Sequence, residues 1–210
     1  HLTGYGISLD DLKNFRQLGS PTAGHPGYGH APGIEMTTGP LGQGISHAVG
    51  FALGERLLHE RFATAEFDPV GHFTYVVASD GDIEEGISSE AGSLAGHLGL
   101  GRLIAFYDAN HISIEGDTNL ALSEDTAKRY EAYGWQVIQL GEDESVEAVE
   151  GAIAEAKADS VRPTLIIVRT HIAFGSPNKV DTAGAHGAPL GNDEIKLTKE
   201  AYGFPSLEPF

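Results

Sequence analysis

The chain of 210 residues contains no cysteine. Disulfides, thiolate metal sites and cysteine nucleophiles are therefore excluded outright. It has no apolar run approaching the roughly 18 residues that a membrane-spanning helix needs. Cations are scarce, with 13 Lys+Arg against 30 Asp+Glu and a formal net charge of −17. That balance leaves no basic stripe for nucleic acid or an anionic membrane, and neither is expected as a partner. An anionic ligand must instead be met by a metal, by helix N-termini or by cations of another chain. The sequence has no Walker A loop, no G-x-S-x-G elbow and no H-E-x-x-H spacing, so P-loop chemistry, nucleophilic hydrolysis and a zinc centre all lose support. No signal-peptide pattern is visible, the chain opens on His1, and a soluble cytoplasmic protein is the expectation.

What the chain does have begins with punctuation. "LGSPTAGHPGYGHAPG" carries five Gly and three Pro in 16 residues, and its histidines and Tyr28 favour an ordered loop over a linker. "LDDLKNFRQL" before it predicts a short helix with acids first and bases last. "TTGPLGQGISHAVGFALGERLLHERF" predicts a longer one, with Ile45, Val49, Leu53 and Leu57 at a spacing of four. Its small residues Gly44, Ala48, Gly50, Ala52 and Gly54 suggest close helix packing. From residue 72 strands and helices alternate: "HFTYVVA", "EEGISSEAGSLAGHLGL", "RLIAFYD", "EDTAKRYEAYG", "WQVIQL", "ESVEAVEGAIAEAKAD", "PTLIIVRT". This rhythm predicts an α/β fold, a parallel sheet covered by helices on both faces. A loop and a last helix, capped near Asn192/Asp193, close the chain.

Ligands of open parallel sheets sit at the carboxyl ends of the strands. Those ends read "SDGD", "DANHISIEG" and "THIAFGSPNK". Asp80 and Asn110 each follow a strand, with one helix between them, so neighbouring strands could bring both to one cation. A carboxylate, an amide oxygen and a backbone carbonyl are hard oxygen ligands that suit Mg²⁺ or Ca²⁺. Gly81 would let backbone approach a phosphate, and the helix starting near Glu85–Gly86 would add its dipole. The same "DG" pair is equally compatible with a plain tight turn. Asp82 and Glu84 read as solvated surface, and each histidine read singly is a structural residue more often than a catalytic one.

The wording narrows the choice. "SDGDIEEG" followed by "FYDANHISIEG" resembles the thiamine diphosphate motif, a GDG stretch with a later Asn. "TTGPLGQG", "EAGSLAGHLGLGRLIAFYD", "RYEAYGW", "FGSPNK" and "AHGAPLG", spread over residues 8–202, resemble the transketolase family, and "ASDGDIEEG" its bacterial, actinobacterial-type members. The resemblance implies one diphosphate-binding (PP) domain over residues 1–210, itself partial. The early sequence and the pyrimidine-binding domain, of the same or a second chain, are expected to be missing from it. It also implies transfer of a two-carbon ketol unit between sugar phosphates, thiamine diphosphate with Mg²⁺ or Ca²⁺, a homodimer, and inactivity of this chain alone.

Carried over residue by residue, Asp80, Asn110 and the Ile112 carbonyl would hold the metal, and Gly81 the diphosphate. Gly39 and Leu41 would contact the aminopyrimidine, and Ile114 and Ile172 the thiazolium. His186 would meet the diphosphate and substrate, and His25 the donor's hydroxyl end. Glu85 would join a carboxylate network between two sites of a dimer. Two positions depart from the family pattern. Ser79 replaces the first Gly of the motif and demands an ordinary backbone angle; His111 stands where Gly is common and tolerates a positive φ better than most residues. Competing readings are an isolated non-catalytic PP module, another thiamine enzyme such as 1-deoxyxylulose-5-phosphate synthase or a 2-oxoacid dehydrogenase component, and a Mg²⁺-dependent phosphatase using Asp80 and Asp82.

Overall fold

The structure, a computed structural model, describes residues 1–142 and 145–208. Among the described residues, seven α-helices and four strands follow in the order α1 (Leu9–Lys13), α2 (Gln43–Phe62), β1 (Thr74–Ser79), α3 (Asp80–Glu84), α4 (Gly86–Leu98), β2 (Leu103–Asp108), α5 (Thr126–Ala132), β3 (Gln136–Gly141), α6 (Val146–Ala158), β4 (Thr164–Val168) and α7 (Asn192–Ala201). Glu144, the first residue of the helix expected at 144–159, lies outside the described residues.

All four strands run parallel in the order β1-β2-β4-β3. The two-residue period of β2 explains why helices cover both faces. Leu103, Ala105 and Tyr107 point into a core shared with Ile45, Val49 and Ala52 of α2 and Ala91 and Ala95 of α4. Ile104 points the other way, onto Ala152 and Ala156 of α6 and beside Ile166 of β4. Strands buried on both sides need the continuous apolar runs seen in the sequence. Cover on the second face thins at β1, where Tyr75 and Val77 are exposed.

Several local expectations change. The first helix stops at Lys13 rather than Leu18, because Asn14 caps it and Arg16 turns to φ +62°. In α2 a four-residue spacing overruns the 3.6-residue turn, so Ile45 and Val49 are buried while Leu57 is 63 % exposed. Gly50 and Gly54 pack against nothing: a Cβ at either would meet no atom within 4 Å. The tight packing lies instead at Gly96 of α4, where a Cβ would overlap the Tyr133 carbonyl oxygen. Helix α7 starts after Gly191 without a side-chain cap, so Asn192 and Asp193 do not cap it.

Candidate functional site

Because β1 and β2 are neighbours in register, Ser79 faces Asp108, and the two chains leave the sheet side by side. Asp80 is the first residue past β1. The residue is 3 % exposed. Oδ1 accepts the Tyr107 hydroxyl at 2.6 Å, and Oδ2 accepts the His111 backbone N–H at 3.0 Å. Burial, and then the bond to Asp80, push the Tyr107 phenol well above its ordinary value, so it stays protonated and donating. No Lys or Arg pairs with Asp80 among the described residues. A buried carboxylate without a counter-charge is costly unless a cation completes it. Two accepted hydrogen bonds leave further lone pairs free for one.

The Asn110 loop is fastened to Asp80 through the His111 N–H. The Asn110 Oδ1 accepts the Ile112 N–H at 2.9 Å, a local Asx turn, and His111 sits at φ +64°. The left-handed angle is the one at which Gly is common and His tolerable. Ile112 also bridges to Asp117. From the other side, β4 braces the loop: the Arg169 guanidinium donates to the Ala109 carbonyl at 3.1 Å, and the Thr170 hydroxyl to Asp108. The chemistry of the donors expected there, a carboxylate, an amide oxygen and a backbone carbonyl, is the kind that suits Mg²⁺ or Ca²⁺.

Ser79 adopts φ −93° and ψ 178°, an extended angle open to any residue, so the lost glycine is harmless there. The following residues form helix α3, and Asp82 corrects the surface reading. Its Oδ2 accepts the Ser79 N–H and hydroxyl, both at 3.0 Å, closing a capping box. Its Oδ1 accepts the Gly42 N–H at 2.8 Å, across 40 residues of sequence. Asp82 therefore fastens the "TTGPLGQG" loop to the "SDGD" loop. Glu84 is not a solvated bystander either. Its Oε1 is buried, and desolvation, then the charges of Asp80, Glu124 and Glu85, raise its pKa.

The clasp gathers other candidates. Leu41 lies over Gly81, whose Cβ would stand 3.2 Å from the Leu41 Cδ1. A Cβ on Gly42 would collide with Ile87, Ser88 and the Glu85 Cβ, so Glu85, exposed at the start of α4, sits beside the same loop. Gly39, at φ +134°, lies beside the His25 ring, 3.5 Å from the position of a Cβ to Nδ1. Gly39, Leu41, Gly81, Glu85 and His25 thus share one neighbourhood. Ile172 is half-buried just past β4, and its carbonyl accepts the Asp181 N–H. Ile114, 68 % exposed, and His186, also exposed, stand on loops past β2 and β4.

Sequence reasoning missed Asp82, Tyr107 and Glu194. The pattern S-x-x-D at residues 79–82 is a readable capping box. Tyr107 carried only the two-residue period of its strand. Glu194, buried on α7, accepts the Ser176 hydroxyl at 2.5 Å and the Asn178 N–H and side-chain amide at 2.8 and 2.9 Å. It ties "FGSPNK" down, and those same bonds lower its pKa.

With this geometry in place, relatives decide the family. Residues 1–210 match the family described as "Transketolase, thiamine diphosphate binding domain". The chain belongs to the transketolase family. It is 55 % identical over 210 residues to a transketolase of Geobacillus stearothermophilus, covering 100 % of this chain and 31 % of that one. It is 58 % identical over 204 residues to transketolase 1 of Vibrio cholerae, covering 97 % of this chain and 31 % of that protein. Transketolase from Leishmania mexicana superposes with a TM-score of 0.93 at 47 % identity, covering 97 % of this chain and 30 % of that one. A Pichia stipitis transketolase complexed with sedoheptulose-7-phosphate gives 0.93 at 48 %, with the same coverage. The parallel sheet with its helices is the fold they share. The chain spans about a third of the length of the curated relatives it matches.

Proposed function

We propose that this chain forms the diphosphate- and metal-holding half of a transketolase active site, within a protein that moves a two-carbon ketol unit from a ketose phosphate to an aldose phosphate. The observation that carries the reading is Asp80: a buried carboxylate at the carboxyl end of β1, without a cationic partner among the described residues, beside the Asn110 turn. In this reading Asp80, Asn110 and the Ile112 carbonyl hold Mg²⁺ or Ca²⁺, and the Gly81 N–H meets the diphosphate. Gly39 and Leu41 border the aminopyrimidine; Ile114 and Ile172 border the thiazolium. When bound, thiamine diphosphate supplies the carbanion chemistry, and the protein supplies position and electrostatics.

The remaining roles belong to the residues around that seat. His25, next to Gly39, donates to the hydroxyl end of the ketose, and His186 steadies the substrate beside the diphosphate. Glu85 faces the carboxylate network of a partner subunit in a homodimer. The catalytic carboxylate that activates the aminopyrimidine comes from the pyrimidine-binding domain of the same or a second chain. On this reading residues 1–210 are a partial PP domain, inactive alone, of a cytoplasmic enzyme.

Calorimetric titration of thiamine diphosphate in the presence of Mg²⁺ tests the assignment. Binding is expected to require the cation and to vanish in Asp80→Ala, since the diphosphate loses the charge that neutralises it. Equal affinity in the variant would refute the metal site. The coverage of about a third of each relative also favours a second reading, in which the isolated chain is a cofactor binder only. Ketol transfer by the purified chain, with no second polypeptide present, would exclude that version.

A further inference from the structure

Asp108 ends β2 just before the Asn110 loop, and its carboxylate meets a side chain on either hand. Oδ1 accepts the Thr170 hydroxyl, and Oδ2 lies 3.5 Å from the Asn110 Nδ2. No Lys or Arg pairs with Asp108 among the described residues. Parallel pairing brings these groups together. Asp108 stands opposite Val168, the last residue of β4, and the Ala109 N–H continues the ladder to the Val168 carbonyl at 2.9 Å. Thr170, just past the end of β4, therefore reaches Asp108 from the neighbouring strand, while Arg169 holds the Ala109 carbonyl at 3.1 Å.

An amide has one end that accepts and one that donates, whereas a carboxylate only accepts. The Asn110 Oδ1 takes the Ile112 N–H at 2.9 Å, which the amide nitrogen could not do. The nitrogen is then left to Asp108, whose Oδ2 receives it at the long end of hydrogen-bond distance. Turned over, the amide would set its N–H₂ against the Ile112 N–H and its oxygen against the Asp108 carboxylate. Both contacts are repulsive, so the two neighbours select the same orientation. Oδ1 keeps a second lone pair after serving Ile112, while the N–H₂ end has nothing to offer a cation.

We infer that Asp108, steadied by Thr170, is a positioning residue for Asn110. It holds the amide nitrogen, so that the oxygen is the end left to a divalent cation, as the outer hydrogen-bond partners of metal ligands do. The inference rests on the proposed metal seat, and adds to it a residue that acts through a ligand and is not one itself.

The test uses the full enzyme that contains this chain. Mg²⁺ is titrated calorimetrically at a fixed excess of thiamine diphosphate, and the metal-free proteins are unfolded in urea. Asp108→Ala is expected to weaken Mg²⁺ binding about tenfold or more, the usual cost of removing such a partner. Thr170→Val should shift the affinity in the same direction, and Thr170→Ser, which keeps the hydroxyl, should bind as the parent does. This pair decides the matter should Asp108→Ala fail to fold: one Mg²⁺ affinity shared by Thr170→Val, Thr170→Ser and the parent overturns the inference. Asn110→Asp separates orientation from charge, because a carboxylate has oxygen at both ends and no nitrogen to hold. In that background Asp108→Ala should bind Mg²⁺ no more weakly than Asn110→Asp alone. An equal loss in both backgrounds would mean that Asp108 acts by its charge or as a ligand, and overturns the inference while the metal seat stands. A fall in the urea stability of Asp108→Ala with Mg²⁺ affinity unchanged overturns it too. A parent that binds thiamine diphosphate equally with and without Mg²⁺ removes the seat, and the inference with it.

Discussion

The Tyr107 hydroxyl donates to the Asp80 Oδ1 at 2.6 Å from the neighbouring strand, so the strand next door orients the carboxylate read as a metal ligand. Tyr107→Phe removes the donor and leaves the acceptor in place. A buried acceptor robbed of its partner costs about 1–3 kcal/mol, more if charged. Urea denaturation should therefore show a loss of that size at neutral pH. A cation bound at Asp80 supplies the missing partner, so added Mg²⁺ with thiamine diphosphate should recover more stability in the variant than in the parent. Equal recovery in both would break the link between Tyr107 and the metal seat.

Asp82 allows two roles to be separated. Its Oδ2 caps α3 through Ser79, while its Oδ1 holds the Gly42 N–H. Ser79→Ala removes one bond of the cap and should cost about 1 kcal/mol. Asp82→Ala removes both functions and should cost more, about 2–3 kcal/mol, since hydrogen bonds to charged groups are worth about 1.5–3 kcal/mol. Asp82→Asn turns an amide N–H₂ towards either Gly42 or Ser79 and should fall between. Denaturation midpoints of the three variants check the order.

How much of this was legible follows from what each residue had to signal. The strands announced themselves because both faces of the sheet are covered, which forces unbroken apolar runs such as "LIAFYD". Asp80 and Asn110 were legible as candidates because a polar residue just past a strand breaks that run. Asp82 was not, because a carboxylate that binds backbone N–H groups looks like a solvated one until the distant Gly42 is brought to it. Tyr107 and Glu194 were hidden for the same reason: their partners lie 27 and 16–18 residues away. Gly50 and Gly54 erred in the opposite direction, because small residues on a helix do not reveal whether a neighbour approaches.

Gly96 is where a neighbour does approach. With the Tyr133 carbonyl oxygen inside the space a Cβ would need, backbone faces backbone and neither can swing aside. Gly96→Ala is expected to destabilise by at least the 1–3 kcal/mol typical of overpacking, while Gly50→Ala, with no atom within 4 Å, should stabilise α2 by about 0.5–1 kcal/mol. Thermal melts of the pair provide the contrast. A Gly96→Ala protein as stable as the parent would mean that α4 and α5 can part at no cost.

Glu194 makes a pH dependence with a definite sign. Its pKa is lowered from the ordinary 4.5, first by the Ser176 hydroxyl and then by the Asn178 side chain and N–H, all of which bond the charged form. A carboxyl whose folded value lies below its unfolded one binds fewer protons when folded, so stability rises with pH through that window. The contribution is fully present above 4.5 and is lost as pH falls through the lower folded value. Glu194→Gln should therefore be less stable than the parent at pH 7, with the gap narrowing as both are taken below pH 4.5. The loosened segment carries "FGSPNK", so proteolytic nicking near Ser176–Asn178 should rise in step with the lost stability at neutral pH. A gap that stays constant from pH 7 through the acid range would show that the ionised carboxylate does not hold this loop.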